Sequence, residues 1–498
     1  MAIRRYLANA DNTITNAFEY NLTTRGTGSN MGASDISEVF SIYGQSSSSS
    51  LEVARILTQF PVTSISSDRA AGTIPASGSV NFVLRMYNAV HGETIPKSYS
   101  LNISAISKSW EEGTGLDMEG YTDLTYDGTG SNWQRASKSA AWTTAGGDFF
   151  SDTSSSFSAS FDNGTEDLEV DITTLVEQWL NSSGNVLGSK TNYGVIVMLP
   201  AGEEGQKRSY YTKRFFARGT EFFFKRPVIE ARWDSSNQDD RGNFFLSSSV
   251  ATATENLNKL YLYNNIRGQL RDIPGVGTNK IRLSIYSGSS DNSSATGDKL
   301  FLPVGGGVAA TGHTNITGSH VSTGIYSASF AYASSSITTI FPVWHSGSLN
   351  SATVYHTGSA IEVKTFASSD FNPSSNYVTT ITNLKKSYSR EEEARIRLYV
   401  RQKDWSPTIY TKAKSDPDNL ILEDAYFRVI RTIDELDVVE YGTGSLNHTK
   451  LSYDVSGNYF DLPMELLDSG YMYGIKFLYK LPNGLYKEQP NTFKFRVE

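Results

Sequence analysis

An alternation of period two recurs along this chain, and it constrains the fold more than any other feature. Val80, Phe82, Leu84 and Met86 interleave with Asn81, Val83, Arg85 and Tyr87. Successive strand residues point to opposite faces of a sheet, so this spacing predicts a strand with one buried face. Tyr99, Leu101, Ile103 and Ala105 repeat the pattern. So do Ala394, Ile396, Leu398 and Val400, set between Arg395, Arg397, Tyr399 and Arg401, and later Phe493, Phe495 and Val497. A strand so near the end predicts a C-terminus tied into a sheet. Residues 195–199 form an unbroken apolar run between Gly194 and Pro200, the mark of a central strand buried on both faces. In the first half, one stretch carries a helical period instead. Ile172, Leu175, Val176, Trp179 and Leu180 form one stripe, with Asp171 or Thr173 as N-cap and Asn181 and Gly184 as the stop.

Composition agrees with a β-rich reading. Tyr (28) and Phe (25) are abundant among the 498 residues, and these rings favour pleated, half-buried surfaces. The charge is 44 − 52 = −8, which argues against a nucleic-acid binder, whose footprint is basic. There is no cysteine, so disulfides, thiolate metal sites and cysteine nucleophiles are excluded. No stretch approaches the ~20 apolar residues that span a bilayer, so no membrane partner is expected. After Arg4 and Arg5, Asn9, Asp11 and Asn12 interrupt any apolar signal region. The expectation is a protein made in a reducing cytosol.

Turn-rich stretches divide the chain into three expected β-sandwich domains in series: 1–234 with one short helix, 240–385, and 386–498. The later two have the size of immunoglobulin-like sandwiches but lack the Cys…Trp…Cys mark of antibody domains. In the second, strand-like runs at 257–263 and 281–286 flank the turn Arg271-Asp272-Ile273-Pro274-Gly275. The serine run 46–50 reads as a loop tip.

Several pieces of the first segment occur in a recognisable order. They are Asn9-Ala10-Asp11-Asn12-Thr13-Ile14, Gly28-Ser29-Asn30-Met31-Gly32 and the strand-like 54–60. Trp110-Glu111-Glu112-Gly113, Asn132-Trp133 and Trp142…Gly146-Gly147-Asp148 follow, then the 170–179 helix region and Arg226-Pro227-Val228-Ile229-Glu230. Over residues 8–234 this order resembles the DNRLRE family of β-sandwich domains, although the hexapeptide that names the family is absent. The resemblance implies a building block of prokaryotic surface proteins or of tailed-phage virions. The bare start and the lack of cysteine favour the virion. Residues 256–272 and 395–410 also look like parts of phage virion sandwich domains. The expected function is therefore non-enzymatic: a virion structural protein of the neck, tail or fibre, assembled in the host cytoplasm. Its partners would be other virion proteins and further copies of itself. The alternative is a glycan-binding adhesin or decoration protein on a host surface, using Trp110, Trp133 and Trp142.

Chemistry-bearing patterns are sparse. His91, His313, His320, His345, His356 and His448 show neither His-Glu-x-x-His spacing nor a compact cluster, and His313 and His320 read as surface-loop residues. Asp117, Glu119, Asp123 and Asp127 lie among glycines and are weak calcium candidates, though not at EF-hand spacing. No other metal and no cofactor is expected. Glu111 and Glu112 are adjacent, and strand geometry would turn them to opposite faces rather than flank one glycosidic bond. Neither a Gly-x-Ser-x-Gly elbow nor a Walker loop occurs. The sharpest feature is a reversal of sign at 207–232. Lys207, Arg208, Lys213, Arg214, Arg218, Lys225, Arg226 and Arg232 interleave there with Phe215, Phe216, Phe222, Phe223 and Phe224, against only Glu221 and Glu230. Arginine and aromatic rings are enriched at interfaces. Lys207, Arg208, Lys213, Arg214, Phe216, Arg218, Phe223, Lys225 and Arg226 are accordingly the candidate docking residues.

Overall fold

A computed structural model describes residues 2–43, 51–90, 96–116, 120–121, 129–182, 184–204, 210–288, 295, 297–310, 312–347, 352–365, 376–405 and 419–498. The protein is all-β, with three short α-helices among these residues. The chain folds as two compact units, Ala2–Asp234 with Gly444–His448, and Ser235–Thr443 with Thr449–Glu498.

In the N-terminal unit the strands are β1 (Ile3–Leu7), β2 (Ala10–Thr15), β3 (Ile36–Tyr43), β4 (Leu51–Gln59), β5 (Asn81–Met86), β6 (Tyr99–Ala105), β7 (Ser156–Phe161), β8 (Leu168–Asp171), β9 (Val195–Met198), β10 (Tyr210–Phe216) and β11 (Val228–Arg232). One antiparallel sheet has the order β1-β11-β5-β8, and the other β10-β3-β4-β9-β6-β7 with β2 on β4. A single core joins them. Phe82 and Leu84 of β5 and Ile229 of β11 meet Ile56 of β4, Leu101 and Ile103 of β6 and Val197 of β9. The larger sheet is buried on its other side as well. There Ile14, Leu57 and Ile196 pack under Ile106, Trp110, Ala136 and Trp142. Two buried faces explain the unbroken apolar run of β9, all of whose residues are buried.

The helices are α1 (Val62–Ala70), α2 (Thr173–Leu180) and α3 (Ala201–Glu204). The stripe on α2 buries Leu175, Val176 and Trp179, and Asn181 stops it at φ 47°, in the left-handed region. Ile172 holds the N-cap position, whereas Asp171 reaches past it to accept the Thr173 N–H at 2.8 Å. Helix α1 carries no apolar stripe; its one buried residue is Ile65, and Arg69 clamps it to Glu177 of α2 with two 2.7 Å bonds.

The smaller sheet departs from the expected alternation. Both faces of β5 are covered, and Val83, Arg85 and Tyr87 are as buried as Phe82 and Leu84. Its outer side sets a charge cluster among the buried apolar side chains of Val83, Tyr87 and Val228. Glu230, 1% exposed, takes Arg5 Nε at 2.9 Å and Arg232 Nη2 at 2.6 Å, with Arg85 Nη1 3.5 Å away. Glu169 pairs with Arg232 at 2.6 Å. His448 is buried in the same unit, and burial, with Arg232 adding to it, pushes its imidazole down to about 3.

In the C-terminal unit, an eight-stranded sheet spans Phe244–Phe245 to Ile361–Lys364. It closes over Leu260, Leu283, Ile285, Tyr326, Phe330 and Trp344. Glu393–Gln402 shows the predicted alternation, with Ala394, Ile396, Leu398 and Val400 buried. Tyr377–Ile381 pairs with it along its whole length, so this strand belongs to the last segment's sheets although it precedes residue 386. Phe493–Val497 lies between Met472–Lys480 and Ser387–Tyr388, which ties down the C-terminus. Tyr453 donates to Asp240 at 2.6 Å and accepts from the Asp239 N–H at 3.0 Å. The stretch after residue 235 is thereby fastened to the last segment.

Candidate interaction surface

The basic-aromatic stretch runs from β10 through a turn and a short 3-10 helix, Phe223–Lys225, into β11. Lys207 and Arg208 lie outside the described residues. The remaining residues divide by strand parity. Lys213 and Phe215, two apart, both face inward at 1% and 0% exposure. Lys213 is therefore not a docking residue, because its ammonium sits inside the unit. It donates to Asn88 Oδ1 at 2.8 Å, Glu166 O at 2.6 Å and Gly164 O at 3.0 Å. Arg232 is likewise buried, in the charge cluster already described. Arg214 faces outward and pairs with Glu38, whose carboxyl burial raises despite that partner.

Past β10 the chain is clasped. Arg218 donates through Nε and Nη2 to Glu112 at 2.9 and 2.8 Å, while its backbone N–H donates to the Asp11 carboxylate. Beyond this clasp the rings emerge. Phe222 is 48% exposed and Phe223 40%, while Phe224 turns inward. Phe216 meets Phe222 edge-on at 5.6 Å between centroids. Lys225 Nζ lies 4.9 Å above the Phe216 ring, and the Arg226 guanidinium 5.5 Å above Phe223, within cation–π reach. Arg226 also donates to Thr220 O at 3.0 Å. Among the described residues no carboxylate pairs with Lys225 or Arg226. The patch thus contracts to Phe216, Phe222, Phe223, Lys225 and Arg226. Phe222 was missing from the sequence-based set, because position within a run of three phenylalanines does not say which one turns inward.

The Asp11 carboxyl beneath the clasp is buried. Burial raises it from 3.8 to about 7, with Glu112 pushing the same way and the Arg218 N–H opposing. A carboxyl raised on folding adds stability that is complete below its unfolded value and lost as pH rises through its folded one. Asp11→Asn should therefore flatten the fall in Tm of this unit between about pH 4 and pH 7. Unfolding curves with the same slope in both proteins would contradict that assignment.

The tryptophans are engaged in packing. Trp110 and Trp142 are buried, and their indole N–H groups donate to Tyr193 O and Asn132 O, each at 2.8 Å. Trp133 is half-buried beneath the Arg55 guanidinium, 5.2 Å from its centroid. None of the three offers a bare ring face of the kind a glycan platform needs. Glu112 is committed to Arg218, and Glu111 accepts the Lys138 N–H at 3.3 Å. Asp117, Glu119, Asp123 and Asp127 lie outside the described residues, as does His91. Among the described residues no three His, Asp or Glu side chains gather as a metal site. His313 is exposed, as expected of a loop. His320, by contrast, sits on the strand Ile316–Ser322 and meets Asp272 at 3.1 Å. His345 is buried against Ser284 at 2.9 Å.

No protein family and no curated protein matches the chain. Among solved structures, a marsupial T cell receptor aligns over 52% of this chain and 71% of its own, at 6% identity and a TM-score of 0.16. A score that low does not define a shared fold. The class is set by the chain's own architecture: an all-β protein of mostly antiparallel sheets, with a half-exposed aromatic and cationic ridge beside β10.

Proposed function

We propose that the protein is a non-enzymatic structural subunit of a tailed-phage virion, at the neck, tail or fibre, docking on other virion proteins. The observation that carries this reading is the ridge itself. Two half-exposed phenylalanines with two cations that no described carboxylate neutralises, rooted on a sheet edge by the Arg218 clasp, form a small rigid anchor in an otherwise acidic chain. Desolvated aromatic anchors supply most of the energy in an interface, and nearby cations steer and select an acidic partner. The resemblance of residues 8–234 to DNRLRE domains, which occur in such virions, supports the context. The same arrangement repeated in further copies suits a homo-oligomer.

Phe222→Ser combined with Lys225→Glu should leave thermal unfolding of the isolated protein unchanged and prevent its incorporation into particles. Binding of the wild type to its virion partner should weaken as salt rises. Incorporation of the double variant at wild-type occupancy would remove the ridge from the interface. Arg214 is the wrong probe for this purpose, because reversing its charge sets a second carboxylate against buried Glu38.

A further inference from the structure

Docking offers buried Lys213 no role, and its side-chain nitrogen is held in contact with a carboxamide. Asn88 follows β5, and its backbone bridges Phe215 of β10. The bonds Phe216 N–H to Tyr87 O and Ala89 N–H to Arg214 O, both 3.0 Å, hold the two segments side by side. Across this junction Lys213 Nζ reaches the Asn88 side-chain carbonyl oxygen at 2.8 Å. The pair is walled by rings. Nζ lies 4.8 Å from the Phe161 centroid and 5.1 Å from that of Phe215, and Tyr99 stacks on Phe161 at 5.2 Å. Two carboxylates stand close by. Asp167 accepts the Asn88 backbone N–H at 2.7 Å, and Glu166, whose Oε1 accepts the Asp162 and Asn163 N–H groups, is held below the usual carboxylate range against its burial.

We propose that Lys213 and Asn88 become joined by an amide bond between their side chains, formed by the folded protein itself with release of ammonia. Burial lowers the Lys213 ammonium to about 8, against the pull of Asp167 and Glu166, so the free amine is accessible near neutral pH. The ammonium gives one proton to a neighbouring carboxylate. The freed lone pair on Nζ forms a bond to Asn88 Cγ, and a second proton passes from Nζ to Nδ2. The Cγ–Nδ2 bond then breaks, and the departing ammonia takes up the proton parked on the carboxylate. One ammonium ion leaves, one amide is exchanged for another, and nothing is oxidised or reduced. Holding amine and carboxamide in contact makes the step intramolecular, which is where such slow chemistry gains its rate. The bond would link residues 125 apart in sequence and fasten β10, an edge of the larger sheet, to the continuation of β5 in the smaller one. In a chain without cysteine it would do the work of a disulfide, closing a long loop of the unfolded state.

The test is the intact mass of the full chain, purified folded and then denatured. The expected result is a mass lower than that of the sequence by one ammonia, with residues 88 and 213 recovered in a single cross-linked peptide. Asn88→Ala and Lys213→Arg should each restore the full mass for their sequence. Should Lys213→Arg fail to fold, Asn88→Ala serves alone, since it leaves the ammonium its two backbone carbonyl acceptors. A full wild-type mass after prolonged incubation would overturn the proposal. So would an ammonia loss that maps to Asn163 or Asn483, each followed by glycine and prone to cyclise on its own backbone.

Discussion

Glu230→Gln should destabilise the N-terminal unit by roughly 3–5 kcal/mol, the cost of breaking a buried charge cluster from one side. Glu230 is the shared acceptor of Arg5 and Arg232 and lies within 3.5 Å of Arg85. Arg85 and Arg232 are 1% and 2% exposed, so neither can turn to water when the carboxylate is lost. Burial alone would raise the Glu230 carboxyl, but the arginines overcome it and hold the group well below the usual carboxylate range. A carboxyl lowered on folding contributes stability that is present above its unfolded pKa and lost as pH falls through its folded one. The loss on substitution should therefore be constant across neutral pH and shrink only in acid. Differential scanning calorimetry of both proteins checks this, and an unchanged Tm would mean that the cluster is solvated in solution.

Trp142→Ala should cost about 3–5 kcal/mol, the range for truncating a buried aromatic side chain. The ring is 5% exposed, packs on Ile14, Leu57 and Ile196, and donates to Asn132 O. Losing it opens a cavity under the long stretch that covers the larger sheet and strands a buried carbonyl. Denaturant unfolding measures the effect. The same variant separates the two uses of the tryptophans: a glycan platform would lose ligand with little change in stability, whereas packing loses stability. A midpoint equal to wild type would return the ring to the surface.

What the sequence could and could not disclose follows from which signals are local. The alternation at Glu393–Gln402, the apolar run of β9 and the stripe on α2 are each set by burial against one neighbouring layer, so spacing alone reveals them. Helix α1 was illegible because Val-Thr-Ser-Ile-Ser-Ser-Asp-Arg-Ala holds one core residue and several β-branched and hydroxyl side chains, poor helix formers without tertiary support. The strand Tyr377–Ile381 is separated from its partner Glu393–Gln402 by Ser387–Tyr388, a strand of another sheet, and only pairing shows to which sheet it belongs. On β5 the alternation was real, but its outward face meets arginines and carboxylates rather than water, which no single-strand pattern encodes. The same limit applies at the ridge. Lys213 and Lys225 are alike as letters in a basic stretch, yet strand parity with Phe215 puts the first inside, while the turn after the Arg218 clasp leaves the second above exposed rings.

Because Lys225 and Arg226 have no carboxylate partner among the described residues, the ridge should engage an acidic partner only where both are held in place. The measurement that bears most directly on this is quantitative mass spectrometry of density-gradient-purified phage particles. The chain should be present at a fixed copy number relative to the major capsid protein, should survive successive gradients at low salt, and should be cross-linked through the neighbourhood of residues 222–226 to another virion protein. A chain abundant in the lysate but absent from purified particles would contradict the structural role itself.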